Sequence, residues 1–150
     1  MERAGVFAVR SGRFPLCGGR VGAGRGLVLR GELFAGVDRV SGRLACHATL
    51  FGADWSAMTA EIHYWSAVWA RGRGFAVEAA RAVARWALVE HGFARITLQS
   101  DVRNVASRRV AESAGFVFEG VLRHASWTRS GRSDLAVFSL IPADLDRSAG

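Results

Sequence analysis

The sequence predicts an α/β (α+β) domain in which one mixed sheet carries helices packed on it. Three observations lead there. Strand-like alternation flanks two stretches of helical periodicity. Glycine-centred stops separate the segments. Their order (strand, strand, strand, helix, strand, helix, strand, strand) calls for two packed layers. At 150 residues, 50% hydrophobic and 22% charged, the chain has the size of one domain and can bury about two-thirds of its unfolded surface in a single core.

Residues 1–31 hold eight Gly and six Arg against a single acid, Glu2. The glycines between Gly18 and Gly26 raise the entropy cost of ordering, and little apolar surface offsets it. This stretch therefore reads as a partly flexible N-terminal segment, with Gly5–Arg10 and Gly26–Arg30 as strand candidates. The chain changes character at Glu32. Glu32–Val37 and Arg43–Phe51 are apolar-rich on either side of Asp38-Arg39-Val40-Ser41-Gly42, a hairpin pattern. Gly52–Thr59 reads as a loop, and Ala60–Val68 as a third strand. Phe75, Ala79, Ala82, Val83, Trp86 and Val89 then share one face of a helix whose other face carries Glu78, Arg81 and Arg85, and Gly92 stops it.

Ala94–Ser100 alternates as a strand does. Asn104 is a good N-cap for a second helix from Val105 to Ala114, and Gly115 followed by Phe116 fits a Schellman end. Phe116–Arg123 and Leu135–Leu140 read as strands flanking a Ser130-Gly131 turn, and the chain after Pro142 reads as a fraying tail. The organisation expected is thus the segment 1–31, a domain over 32–145 and a frayed tail over 146–150. The strand–helix–strand unit between residues 60 and 100 is expected to be parallel and right-handed.

Several functions are excluded early. No run approaches the ~18 apolar residues of a membrane span, and no ~7–15-residue apolar stretch follows the basic N-terminus as in a secretory signal. Every basic residue is Arg, so a Walker-type phosphate loop, which needs Lys, cannot form. The N-terminal glycines miss the G-x-G-x-x-G spacing at every register. Cys17 and Cys46 form no metal-ligand spacing with the four histidines, and a reduced, cytoplasmic setting fits them better than a disulfide framework.

Chemistry concentrates at Arg71-Gly72-Arg73-Gly74-Phe75-Ala76, the junction between the third strand and the long helix. Two glycines let the backbone turn sharply and approach a ligand closely. Unpaired amides at the helix N-terminus then converge as an anion site, to which Arg71 and Arg73 add charge. A diphosphate is the natural occupant; an ordinary tight strand-to-helix turn is the alternative.

These residues resemble the acetyl-CoA-binding motif of the GNAT N-acetyltransferase family, R/Q-x-x-G-x-G/A, with Arg71, Gly74 and Ala76 at its fixed positions. Asn104-Val105-Ala106-Ser107 followed by Glu112-Ser113-Ala114-Gly115-Phe116 resembles the family's N-x-x-S…E-x-x-G-F signature. Glu119-Gly120 and Glu61-Ile62-His63-Tyr64-Trp65 match as well. The pattern, over roughly residues 32–145, is most similar to the branch of ribosomal-protein alanine N-acetyltransferases. The resemblance implies a GNAT-like mixed, mostly antiparallel sheet with a central strand–helix–strand acetyl-CoA unit.

The roles that follow are those that the resemblance implies. Acetyl-CoA is the acetyl donor, with its diphosphate on the amides around Arg73, Gly74, Phe75 and Ala76. Its pantetheine arm pairs with the third strand from Trp65 to Val68, past Ser66, where that strand splays from its parallel neighbour. Asn104 helps to hold the arm, or simply caps its helix. Ser107 lies beside the thioester sulfur and donates to the departing thiolate, or is an ordinary serine of a first turn. An amine, among them a protein N-terminal α-amine, attacks directly and must first lose a proton. Glu61 and Glu119 are the candidate bases, either of which can instead be an ion-pair partner of an Arg. A backbone amide near Ser66 supplies the oxyanion donor. Direct attack requires no metal.

Other residues take plainer readings. His47, His63, His91 and His124 are scattered and read as packing. Trp55, Trp65 and Trp69 line an acceptor groove or, for Trp65, the core. Arg103, Arg108 and Arg109 meet a 3′-phosphate or form a solvated face. The thiols have no activating neighbour. The sequence departs from the family in two places. Ser66-Ala67-Val68-Trp69 stands where a Pro is usual, and the N-terminus is atypical or truncated, too short and Gly-rich to form the family's wall of the acceptor site. A CoA-binding GNAT-fold module without turnover is therefore the alternative to an enzyme, and a monomer or homodimer is expected. The net charge of +7 divides unevenly: six Arg against one acid in residues 1–31, fourteen against twelve in residues 32–150. No aromatic platform accompanies the basic arm, so nucleic acid is disfavoured as a partner.

Overall fold

The computed structural model describes residues 6–11, 32–38 and 41–147. The expected flexibility of the remainder of residues 1–31, and the strand candidate Gly26–Arg30, lie outside them. Seven strands form one sheet: β1 (Val6–Ser11), β2 (Glu32–Asp38), β3 (Leu44–Asp54), β4 (Thr59–Ser66), β5 (Arg95–Asp101), β6 (Val117–Thr128) and β7 (Gly131–Leu140). Their spatial order is β1-β2-β3-β4-β5-β7-β6. Helices α1 (Phe75–Arg85), α2 (Val105–Ser113) and α3 (Pro142–Arg147) complete the described chain.

Every neighbouring pair is antiparallel except β4 and β5, which α1 connects by a crossover. Strand alternation sorts the side chains. Ala48, Leu50, Ile62, Ile96, Leu98 and Phe138 point to one face and pack against Ala80, Val83, Ala84 and Leu88 from α1 and the turn after it, and against Ala111 from α2. Alanine on the helix side lets α1 sit close to the sheet. Residues of the other parity, among them Glu61, His63, Trp65, Thr97 and Gln99, point to the opposite face, on which no helix packs among the described residues.

The local stops work as their residue types dictate. Asn104 Oδ1 accepts from the Ser107 N–H at 3.0 Å, closing the N-terminus of α2. At its other end Gly115 has φ +95°, the Gly115 N–H bonds the Glu112 carbonyl and the Phe116 N–H bonds the Ala111 carbonyl, each at 3.0 Å. That is the full Schellman pattern, with Phe116 buried beneath it.

Several boundaries differ from expectation. The long helix does not stay α to Val89, because Trp86–Glu90 widens into a π turn before Gly92 at φ +68°. β4 stops at Ser66, and Val68–Ala70 tightens into a 3-10 turn. β3 runs on to Asp54, whose carboxylate accepts from the N–H groups of Ser56 and Ala57 and so shortens the expected loop to a tight turn. The β6–β7 hairpin is longer at its turn end than the apolar residues alone suggest. The chain after Pro142 does not fray at once: Pro142 opens α3, and Asp144 accepts from the Ile141 N–H at 3.1 Å.

Phe138 is fully buried at the centre of this core. Phe138→Ala is expected to lower stability by about 3–5 kcal/mol in chemical denaturation. A loss below ~1 kcal/mol would show that the two layers do not depend on it.

Candidate functional site

The site begins where the sheet opens. β4 pairs with β5 only at Thr59–Arg95, Ala60–Ile96 and Glu61–Thr97, yet β4 continues to Ser66 and β5 to Asp101. Beyond Glu61 and Thr97 the strands part. Cys46 lies opposite Ser66 on β3, and the Ala67 N–H bonds the Ala45 carbonyl at 2.8 Å. Alternation along β4 therefore turns the N–H groups of Tyr64 and Ser66 away from β3, toward the opening. Backbone donors facing a gap within a sheet call for a partner of extended shape.

At the C-terminal end of that opening lies the glycine turn. Gly72 and Gly74 have φ of +71° and +84°, conformations that strongly favour glycine, and a Cβ added at either would meet nothing within 4 Å. The space over the turn is thus open. Gly74 occupies the N-cap of α1 without a side-chain cap, and the first helical bond runs from the Glu78 N–H to the Gly74 carbonyl at 3.0 Å. The amides of Phe75, Ala76 and Val77 precede that bond and have no partner within the helix. Arg71 is exposed beside them. The Arg73 guanidinium lies 5.6 Å from the Trp69 ring centroid and 5.1 Å from that of Phe75, and Arg43 stands 4.4 Å from Trp69 on the same aromatic. Open space, unpaired amides and two aromatic-held cations make a cradle that fits a diphosphate. Val68 is exposed on the 3-10 turn between the opening and this cradle.

Ser107 stands on the helix side of the opening. Tyr64, facing that side from β4, places its hydroxyl 2.6 Å from Ser107 Oγ and 3.1 Å from the Ser107 carbonyl. Burial raises the Tyr64 phenol above its ordinary pKa, against the lowering effect of the Ser107 hydrogen bond, so it stays protonated. Asn104 sits one turn earlier; its oxygen caps α2, and its amide N–H groups remain to meet another partner. The Tyr64–Ser107 contact, between residues 43 apart, escaped the sequence reading.

The two candidate bases separate clearly. Glu119 has no partner on β7, because Phe118 pairs with Phe138 and Gly120 with Val137. This one-residue bulge re-aims its carboxylate across β7 to Arg95, which donates to both oxygens at 2.6 and 2.7 Å, while Ser139 donates a third bond. Arg95 first, then Ser139, holds the Glu119 carboxyl down at about 2. Of the two readings open for Glu119, this is the ion-pair partner. Glu61 lies beside the parting on the helix-free face: Oε1 is 3.0 Å from His63 Nε2 and Oε2 accepts from Gln99 Nε2 at 3.2 Å.

Other expectations change in detail. Trp65 is half exposed on the helix-free face, stacked on His47 at 5.7 Å, and not in the core. Arg103 is committed to Asp101, through bonds of 2.9 and 3.1 Å, and to Ser133, and with Ser133 it holds Asp101 well below the ordinary carboxylate range. Cys46 is buried, which with Glu78 pushes its thiol up to about 11 and leaves it a poor nucleophile. Among the described residues no group of His, Cys, Asp and Glu is arranged to hold a metal, and no helix is long and apolar enough to cross a membrane.

Residues 26–117 match the model of the acetyltransferase (GNAT) domain. The chain is 32% identical over 100 residues to a putative ribosomal N-acetyltransferase, YdaF, of Bacillus subtilis, a match covering 67% of this chain and 55% of that protein. A solved structure described as a probable acetyltransferase aligns with TM-score 0.70 at 29% identity, over 76% of this chain and 63% of that one. Mutant forms of the spermidine/spermine N-acetyltransferase SpeG from Vibrio cholerae align with TM-score 0.71 at 22% identity, over 79% and 71%. The chain thus spans little more than half the length of the curated relative.

The depressed pKa of Glu119 has a linkage consequence. Its carboxylate adds stability that is fully present above the unfolded value near 4.5 and is lost as pH falls through about 2. Urea midpoints between pH 2 and 5 should therefore fall less steeply with acid in Glu119→Gln than in the wild type. Parallel curves would refute the pairing in solution.

Proposed function

The chain belongs to the GNAT acetyltransferase family, and we propose that it moves an acetyl group from acetyl-CoA to a primary amine by direct attack. One observation carries the reading: the parting of β4 from β5 joins the glycine cradle at one end to Ser107 on its flank. Acetyl-CoA supplies an activated thioester. The amides of Phe75 and Ala76, with Arg71, Gly74 and Arg73, hold its diphosphate. The backbone of β4 at Tyr64 and Ser66, with Val68 and Asn104 at the edges, lines the arm, and an N–H near Ser66 stabilises charge developing on the carbonyl oxygen. Ser107 Oγ–H faces the departing sulfur and holds the proton that it needs, steadied by the Tyr64 hydroxyl.

The amine approaches from the helix-free face, where Glu61 stands at the parting and marks the proton-accepting side. Glu119, bound by Arg95 and Ser139, is assigned to structure and not to proton transfer. Among amines, a protein N-terminal α-amine is the acceptor supported by the relative named a ribosomal N-acetyltransferase. Polyamine, named for SpeG, enters the test as its competitor. Cys46 as a free thiol supports a cytoplasmic setting.

The test mixes purified protein with acetyl-CoA and a panel of Ala-starting and Ser-starting peptides and spermidine, and reads thiol release and acetylated product. Transfer to a peptide α-amine is expected. Acetyl-CoA binding with no transfer to any acceptor would favour a CoA-binding module instead, and no binding would overturn both. Gly74→Glu puts bulk and negative charge into the open space over the cradle and should abolish acetyl-CoA binding in calorimetry. Unchanged affinity would remove the cradle from the site. Ser107→Ala should lower kcat by about 100-fold with acetyl-CoA affinity little changed; equal turnover would remove Ser107 from the mechanism.

A further inference from the structure

Resting on the acetyltransferase reading, we infer that His63 takes the proton from the incoming amine, with Glu61 as the carboxylate that orients it. Glu61 and His63 stand two apart on β4, so alternation puts both on the helix-free face. A carboxylate only accepts hydrogen bonds, so the contact at 3.0 Å fixes the imidazole proton on Nε2 and leaves Nδ1 as the acceptor. Gln99, donating to the other Glu61 oxygen at 3.2 Å from β5, holds the carboxylate still. Phe51 on β3 lies 4.0 Å from His63 between ring centroids and fixes the tilt of the imidazole. The ring is thus set by three neighbouring strands.

Its place matters as much as its fixation. His63 is the first residue of this face past the last β4–β5 pair, at the mouth of the opening, and its side chain is 59% exposed. Tyr64, the next residue, points the other way and holds Ser107. Consecutive residues therefore serve the two proton transfers from opposite faces of one strand. Both Glu61 oxygens already have partners, whereas His63 Nδ1 has none among the described residues. Imidazole is also the side chain whose ordinary titration lies near neutrality, where a proton acceptor for an amine is most effective.

The balance is complete. The ammonium R–NH3+ gives one proton to Nδ1, the free amine forms the C–N bond and the C–S bond breaks. The nitrogen loses its second proton as the amide forms, and the thiolate gains one through Ser107, returning CoA as thiol and leaving the first proton on His63 for solvent. The groups facing His63 are Thr49 and Phe51 on β3 with His47 two residues along, Glu61 and Trp65 on β4, and Gln99 on β5. Farther along β5, Arg95 is engaged by Glu119 and Asp101 by Arg103, so Glu61 is the carboxylate that acts on the imidazole.

The experiment compares the wild type, His63→Gln and Glu61→Gln with acetyl-CoA and the best acceptor of the peptide and spermidine panel. His63→Gln should lower kcat/KM by about 100-fold near neutral pH, abolish the acid limb of the pH–rate profile and leave acetyl-CoA affinity and melting temperature unchanged. In Glu61→Gln the side chain can donate as well as accept, so it no longer fixes the imidazole proton on Nε2; kcat/KM should fall by about 10-fold, and the ring-nitrogen NMR shifts of neutral His63 should move away from those of the Nε2-protonated tautomer. A wild type that transfers acetyl while His63→Gln transfers equally well, or keeps its acid limb, overturns the assignment of His63 alone. Unchanged kcat/KM and unchanged His63 ring-nitrogen shifts in Glu61→Gln overturn the orienting role of Glu61. A wild type without transfer to any acceptor overturns the acetyltransferase reading, and this inference with it.

Discussion

One constraint organises the molecule: a parallel pair of strands in mid-sheet that stops pairing while both strands continue. Backbone N–H and C=O groups inside a fold need partners, and a sheet normally provides them along its whole length. Here β4 and β5 share three registered pairs and then diverge, with β3 and β7 still bonded on their outer sides. The opening is therefore stabilised from outside itself. Its apolar floor is supplied by the helix layer, where the alanines of α1 sit against Ile62, Ile96 and Leu98. Among the described residues the two sides of the gap are strands, each still bonded to its outer neighbour.

Charge is deployed around the opening in two different ways. At the cradle, Arg43 and Arg73 rest on aromatic rings, which hold a guanidinium without neutralising it. On the far side of β5, arginines are consumed: Arg95 by Glu119, Arg103 by Asp101. Cations kept unneutralised can answer a polyanionic ligand, whereas paired ones fasten β5 to β6 and the turn that leads to α2. The distinction is one of neighbours, since the residue type is the same in both places.

Much of this was legible in the sequence wherever the cause was local. The Asn104 cap, the Gly115–Phe116 stop and the glycine turn at Gly72 and Gly74 each follow from residues within a few positions, and the structure bears out their conformations. Pro142 and Asp144 also carried a readable helix start that composition alone obscured. What stayed hidden was decided by pairing over distance. Glu119 reaches Arg95 only because a bulge re-aims it, and no spacing in the sequence announces a bulge. The Tyr64 hydroxyl finds Ser107 across 43 residues. Glu61 and His63 are the instructive case: two apart on a strand, they share a face by alternation, and that signal was available once the strand was assigned.

The alternation along β3, β4 and β5 has an evolutionary corollary. The positions that hold the two layers together and the positions on the helix-free face interleave one by one along a shared backbone. Exchange of Glu61, His63, Trp65 or Gln99 replaces no residue of the buried cluster, so a small thermodynamic penalty is expected. Such a strand can change the chemistry of its open face while its fold stays fixed. A family built on it would be expected to diversify by substitution at every second residue.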